Sequence, residues 1–200
     1  LFYLPIVGST FKKVYFDPLL QRAVSKFVHA EDVVVPYGAT DLLTSPRITH
    51  IIRMDSNEIR KMQLAGFYRD VDLPSSSGGG IDYSEVQESI DDAQGVQIAG
   101  PSYEMTIYEV HTSLDLEGFE DMDSEGEPSG LKLPYIVTIL EATGEVLSIR
   151  RNYSQSDVLM RRQQYFVHYK FLPGLGFYGF GLTHMIGGLS QASTSILRQL

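Results

Sequence analysis

The sequence predicts an α+β fold: antiparallel β-meanders with short helices, ending in a longer helix. Three observations carry this expectation. Short stretches of alternating apolar and polar residues recur with turn residues between them. Helix starts are few and follow no regular alternation with the strands, so parallel βαβ units are not expected. The last twenty residues, GLTHMIGGLSQASTSILRQL, carry apolar or small residues at steps of three and four.

The elements follow in order. LFYLPIVGSTF at residues 1–11 reads as buried interior. Residues 10–16 and 22–28 are β-rich, and Asp17-Pro18 between them supplies a hairpin turn. A short apolar strand at residues 32–35 stops at Pro36-Tyr37-Gly38. Residues 47–54 alternate, with Ile48, His50, Ile52 and Met54 on one face, where His50 reads as a core histidine rather than a ligand. Asp55 and Glu58 have capping-box spacing for a helix running to about Ala65, with Gly66 as its stop. A second box, Ser84 and Gln87, precedes a weak stripe of Val86, Ile90 and Ala93 and a stop at Gly95. Between the two helices, PSSSGGG at residues 74–80 reads as a flexible linker.

Further on, Tyr103, Met105 and Ile107 alternate with Glu104, Thr106 and Tyr108, a strand with one buried face. Leu133, Tyr135, Val137 and Ile139 repeat the pattern, and Gly144 turns the chain into a hairpin partner at residues 145–150. Tyr165, Val167, Tyr169 and Phe171 form the most aromatic face. In the terminal helix Leu182, Ile186, Leu189, Ser193, Ile196 and Leu200 make one narrow seam, flanked by Gly187, Gly188, Ser190, Ala192 and Ser195. Such a seam calls for a partner, and its small neighbours permit close approach. No start methionine opens the chain and no helix stop follows Leu200, so the expectation is an internal fragment of a longer protein.

Two hundred residues can bury a sizeable core. Hydrophobic content of 43% fits a globular chain, and no apolar run approaches the roughly eighteen residues of a membrane span. The absence of cysteine excludes disulfides and thiolate metal sites. Sixteen basic against 25 acidic residues give a net charge of −9, which argues against nucleic-acid binding by bulk electrostatics. The charge is uneven. Residues 100–145 hold eleven acidic residues against Lys132, whereas residues 150–170 hold Arg150, Arg151, Arg161, Arg162 and Lys170 against Asp157. Those five basic residues are the candidate contacts for a partner or for DNA; a solvated face is the alternative meaning.

Catalytic, cofactor and metal sites are not expected. Asp121, Asp123, Glu125 and Gly126 occupy the first, third, fifth and sixth places of a calcium loop, but the twelfth is Lys132 instead of a bidentate Glu. The acidic loop at residues 115–127 therefore reads as solvated and mobile. His29, His50, His111, His168 and His184 are scattered singly, without zinc spacing. Neither a G-x-S-x-G elbow nor a G-x-x-x-x-G-K-[ST] loop occurs. Gly174, Gly176 and Gly179 fit G-x-G-x-x-G, yet Phe177 and Tyr178 fill the places where a pyrophosphate needs close approach. These glycines are expected instead to shape a strand-to-helix turn, with positive φ tested at Gly176, and Phe177, Tyr178 and Phe180 to anchor it.

The stretch YFVHYKFLPGLGFYGFG at residues 165–181, read with KLPYIVTI (132–139) and LSIRRNY (147–153), resembles the portal proteins of short-tailed, podovirus-type double-stranded DNA phages. FKKVYFDP (11–18), HAEDVVVPYGATDL (29–42), EIRKMQLAGFYRDV (58–71) and YEVHTSLDLEG (108–118) resemble consecutive blocks of the same family. The resemblance implies a β-rich wing-like part at residues 1–73, a linker and short helix at 74–102, a β-rich part with the acidic loop at 103–181, and the start of a stem-like or channel-side helix at 182–200. It implies a structural subunit, not an enzyme, of a ring oligomer that is a dodecamer in the family. Such a ring passes double-stranded DNA without sequence specificity during packaging and ejection. It docks the terminase and meets capsid, scaffold and tail-adaptor proteins, in the virion and in the host cytoplasm during assembly, with no membrane and no cofactor. The alternative is a β-rich virion adaptor or head-completion module without a DNA channel. A third reading, a hydrolase with paired carboxylates, names no convergent pair.

Overall fold

A computed structural model describes residues 2–17, 20–74, 104–122, 125–174 and 176–199. The described chain is α+β with antiparallel sheets and a long C-terminal helix, as the patterning predicts. The short helix expected around Ser84, and nearly all of the 74–80 linker, lie outside the described residues.

One sheet has the order β2-β1-β8, formed by β1 (Ser9–Asp17), β2 (Arg22–Val28) and β8 (Phe166–Lys170). The β1–β2 hairpin runs in antiparallel register from Phe11 opposite Val28 to Asp17 opposite Arg22. On the other side of β1, Ser9 pairs with Lys170 and Lys13 with Phe166. The second sheet has the order β3-β4-β5-β6-β7, from β3 (Val33–Val34), β4 (Arg47–Asp55), β5 (Glu104–Leu114), β6 (Leu133–Leu140) and β7 (Val146–Arg151). Gly144 has φ +69°, and its N–H donates to the Leu140 carbonyl at 2.8 Å, closing the β6–β7 turn where the sequence places it.

The chain divides into two compact units, each interleaved in sequence. The first comprises Leu1–His50, His111–Tyr135 and Arg151–Leu200; the second, Ile51–Val110 and Ile136–Arg150. Both units draw on residues before and after the 74–102 segment.

The first unit is built on Phe11, Val28, Val33, Ala39, Leu42, Ile48, Phe166 and Phe177, with Ala30, Val35 and Tyr165 packed against them. Removing such side chains from water stabilises by about 1.5–3 kcal/mol each. Phe166 is the pivot: His50 and His111 both meet its ring edge-on at 5.4 Å, and the Lys13 ammonium lies 5.7 Å from its centroid. The most aromatic face of β8 is not its most buried one. Phe166 is buried while Val167 and Phe171 are exposed, because the register with β1 turns the even-numbered residues toward Phe11.

A correction concerns the opening residues. Phe2, Tyr3, Ile6 and Val7 are exposed, not interior. Pro5 favours a helical first turn, so Leu4–Val7 forms α1, a single turn that Gly8 ends in the left-handed region with φ +88°.

The second unit holds Ile59, Val71, Ile107, Leu140 and Leu147, with Ile52, Met54, Tyr68, Leu73 and Met105 against them. Here α2 (Ser56–Leu64) starts after Asp55 and ends before Gly66, whose φ is +76°. The boundaries match the capping pattern, although Asp55 makes no side-chain cap bond. Gln63 on α2 is buried, and its amide donates to the carbonyls of Val71 at 2.9 Å and Arg69 at 3.2 Å, pinning the segment that follows the helix. Strand β6 is buried on both faces for most of its length, where the alternation predicted one buried face. Lying between β5 and β7, it has no edge open to solvent.

Candidate functional site

The aromatic and glycine-rich stretch at residues 165–181 leads into α3 (Leu182–Gln199), within the first unit. The chain leaves β8, loops through residues 171–181 and enters the helix. Leu172 and Phe180 close this loop as an isolated antiparallel bridge, with the Phe180 N–H donating to the Leu172 carbonyl at 2.8 Å.

Three glycines let the loop cross the end of α1. A Cβ on Gly8 would stand 2.5 Å from the Gly179 carbonyl oxygen. One on Gly179 would stand 2.7 Å from the Gly8 carbonyl oxygen, and one on Gly181 would stand 2.6 Å from the Gly8 nitrogen. All these neighbours are backbone, which cannot rotate away as a side chain can. Gly176, by contrast, has open space around it and no left-handed φ, so the condition under which a side chain there would strain the backbone is not met. The constraint falls on Gly8 and Gly181 instead. The crossing is also tied by hydrogen bonds: the Phe171 N–H donates to the Gly8 carbonyl at 3.0 Å, and the Thr183 hydroxyl to the Ile6 carbonyl at 2.9 Å.

Beneath the loop, Phe177 is buried and stacks on Phe11 at 5.9 Å, with planes 14° apart. Tyr178 donates its hydroxyl to the Val33 carbonyl at 2.9 Å, and burial raises its pKa. Phe180 is half exposed and meets His184 edge-on at 5.8 Å. Of the three expected anchors, Phe177 and Tyr178 are therefore fixed inside, while Phe180 lies at the surface. His168, which the sequence reading passed over as one of five scattered histidines, sits between Phe11 at 4.3 Å and Phe177 at 4.8 Å. Burial, with the Lys170 charge adding to it, lowers its pKa to about 4.

From this root α3 runs out into solvent. Leu182, Ile186, Leu189 and Ile196 of the predicted seam are all exposed, as are Met185 and Leu197 beside it. The eighteen residues of α3 carry one formal charge, Arg198. Ser193 and Thr194 return their hydroxyls to the Leu189 and Ser190 carbonyls at 3.0 and 2.9 Å, so these polar side chains are satisfied within the helix. No described helix is long and apolar enough to cross a membrane.

The five basic residues have separate local roles. Arg150 belongs to the second unit and pairs with buried Glu109 at 3.3 Å. The other four belong to the first. Arg162 donates to the carbonyls of Leu42 at 2.6 Å, Ser45 at 2.8 Å and Leu43 at 3.1 Å, and partial burial lowers its pKa. Arg161 pairs with Asp157 at 2.9 Å, and that hydrogen bond holds the Asp157 carboxyl below its ordinary value. The Lys170 ammonium lies 5.9 Å from the Phe177 ring centroid, and Arg151 is exposed. Arg162, grouped by sequence with a basic run, is a clamp on the 42–45 turn.

In the acidic loop, Ser129 donates its hydroxyl to Asp121 at 2.7 Å, and Met122 and Pro128 form an isolated bridge. The first position of the calcium pattern is thus engaged by a serine. Among the described residues no group of three or more His, Asp or Glu side chains has a metal-holding arrangement. The second unit has an open groove of about 600 Å³, lined by residues that include Arg60, Gln63, Arg69, Asp70, Asp72 and Glu145. Arg60 is paired there with Asp70. No protein-family model matches the chain, and no curated protein matches it.

Proposed function

We propose that this chain is part of a structural subunit of a phage portal ring, the conduit through which double-stranded DNA enters and leaves a capsid and on which the terminase docks. The observation that carries the reading is α3: eighteen residues with one formal charge and an apolar seam in solvent, rooted in a backbone crossing that fixes where the helix leaves the unit. A solvated helix ordinarily presents a charged outer face. One without it needs a neighbour, and repetition of one contact around a closed ring supplies a neighbour to every copy.

The acidic balance suits a conduit, since each neutralised phosphate adds affinity and salt dependence that would oppose sliding. The function is structural, with no catalytic role. Arg151, Arg161 and Lys170 are the members of the basic group proposed to meet a partner or a passing phosphate; Arg150 and Arg162 are engaged in holding Glu109 and the 42–45 turn. Scaffold, capsid and tail-adaptor contacts belong to the same proposal, as does residence in the virion.

Mass photometry of the full-length parent under assembly conditions tests the reading. A closed ring mass supports it. Monomers or dimers alone overturn it and favour the adaptor alternative. Gly187→Ala and Gly188→Ala add a finer arm, because neither glycine has a neighbour within 4 Å of a built Cβ. Each should stabilise the isolated helix by roughly 1 kcal/mol, yet weaken the ring if the small residues are where helices meet.

A further inference from the structure

His168, Ser9 and Gly179 form a hydrogen-bonded chain across the glycine crossing. The Gly179 N–H donates to Ser9 Oγ at 2.8 Å, and Ser9 Oγ lies 3.1 Å from His168 Nε2. A hydroxyl has one proton to give. With the Gly179 amide directed at the oxygen, that proton is free for Nε2, which can accept it only when the imidazole is neutral and Nε2 carries no hydrogen.

We propose that the His168–Ser9 pair is a proton-sensitive latch that fixes the root of α3: neutral His168 holds Ser9, Ser9 holds Gly179, and protonation of the imidazole releases the 171–181 loop and loosens the helix it leads into. An Nε2–H would face the hydroxyl as a second donor beside the Gly179 amide, leaving the Ser9 proton without its acceptor. The groups around the ring do not favour the charge. Lys170, on the same strand, opposes it. From the loop come Phe177 and the Tyr178 phenol, 6.5 Å away in an edge-on contact. From β1 come Ser9 and Phe11, neither ionisable in this range, while Lys13 further along lies over Phe166. The faces of Phe11 and Phe177 attract an imidazolium, but they offer no acceptor for its new N–H.

The test is hydrogen exchange of the whole chain from pH 7.5 to pH 4.5, corrected for intrinsic rates, with β5 amides as the internal reference, together with an NMR titration of the His168 ring. With a folded-state value of about 4 and an ordinary one near 6.5 in the opened loop, protection of the Gly179 amide should fall about fifty- to hundredfold over that range. Ser9→Ala should expose Gly179 at every pH and remove the step. His168→Phe, which keeps the aromatic stack and cannot be protonated, should also abolish it. A pH step that persists in His168→Phe, or a His168 ring in the native chain that titrates near 6.5, overturns the latch. Since none of these measurements requires a ring, the latch can fail while the portal reading stands, and the reverse.

Discussion

Substitution of Gly181 by alanine isolates the cost of the backbone crossing. The φ of Gly181 is not left-handed, so the added methyl brings no conformational strain of its own. The whole effect is steric. The new Cβ would meet the Gly8 nitrogen at 2.6 Å and the Ile6 carbonyl carbon at 2.7 Å, both backbone atoms. Overpacking of this kind costs about 1–3 kcal/mol, and the upper part of that range applies because neither neighbour can change rotamer. Gly8→Ala meets the same crowding and in addition holds alanine at φ +88°, which adds about 1–2 kcal/mol. Gly176→Ala is the control: with open space and an ordinary φ it should change stability by no more than about 0.5 kcal/mol. Urea denaturation of the three variants, with exchange of the residue 171–185 amides as the local probe, should rank Gly8→Ala worst, then Gly181→Ala, then Gly176→Ala. Equal stability of Gly181→Ala and the unsubstituted chain, or a larger loss at Gly176 than at Gly181, would refute the crossing as the constraint on this loop.

Three further outcomes are expected. Phe177→Ala should destabilise by about 3–5 kcal/mol in the same denaturation assay, the range for deleting a buried aromatic side chain, since its buried ring packs against both Phe11 and His168. Arg162→Ala should cost about 2–3 kcal/mol by leaving the 42–45 carbonyls without a charged donor, whereas Arg161→Ala, which loses one exposed ion pair, should cost much less. Acidification should destabilise through His168. Its folded-state value of about 4 lies below the ordinary 6.5, so the unfolded chain binds the extra proton first. The contribution is fully present above pH 6.5 and lost as pH falls toward 4, by roughly 2–3 kcal/mol in melts corrected with His168→Phe.

The elements legible in the sequence were those whose signals are local. Asp17-Pro18 marks the β1–β2 turn, Asp55 and Gly66 bracket α2, and Gly144 closes the β6–β7 turn, because each signal acts within a few residues of the structure it specifies. Alternation in β5 was read with the correct phase, Ile107 inward. In β8 the sequence leaves the phase open: aromatic residues occupy both parities, so composition cannot choose the face, and the pairing of Lys13 with Phe166 makes the choice from a strand more than 150 residues away. The candidate site was visible as a loop but not as a crossing. Glycines 174, 176 and 179 advertise themselves by spacing, while the partner of Gly179 is the isolated Gly8. The Pro5 and Gly8 bracket around α1 is the signal that could have revealed it, since proline at a helix start and glycine at its end together define a turn. The basic run divides for a related reason: proximity in sequence groups Arg161 with Arg162, but their side chains go to different places, one to Asp157 at the surface and one to the carbonyls of residues 42–45.

The distribution of packing between the root and the body of α3 bears on function more than any single contact. Around the root the chain brings together a three-glycine crossing, a buried phenylalanine, a tyrosine hydrogen bond to Val33 and the His168–Ser9 pair. Beyond Thr183 and His184 the helix is exposed as far as Arg198, and Gly187 with Gly188 cost about 2 kcal/mol of helix propensity relative to alanine. A helix of this composition draws little stability from itself, since short helices in water are marginal without tertiary packing. A rigid root with an unsupported body is a poor arrangement for a self-contained fold and a suitable one for an element whose direction must be set before its neighbour arrives. On the proposed reading, fixing the exit of the helix would reduce the ordering cost at assembly, and leaving its seam bare would preserve apolar surface for that contact. The proposed ring would also account for the small residues along α3: the propensity they cost in the isolated chain would be recovered where a second helix approaches closely.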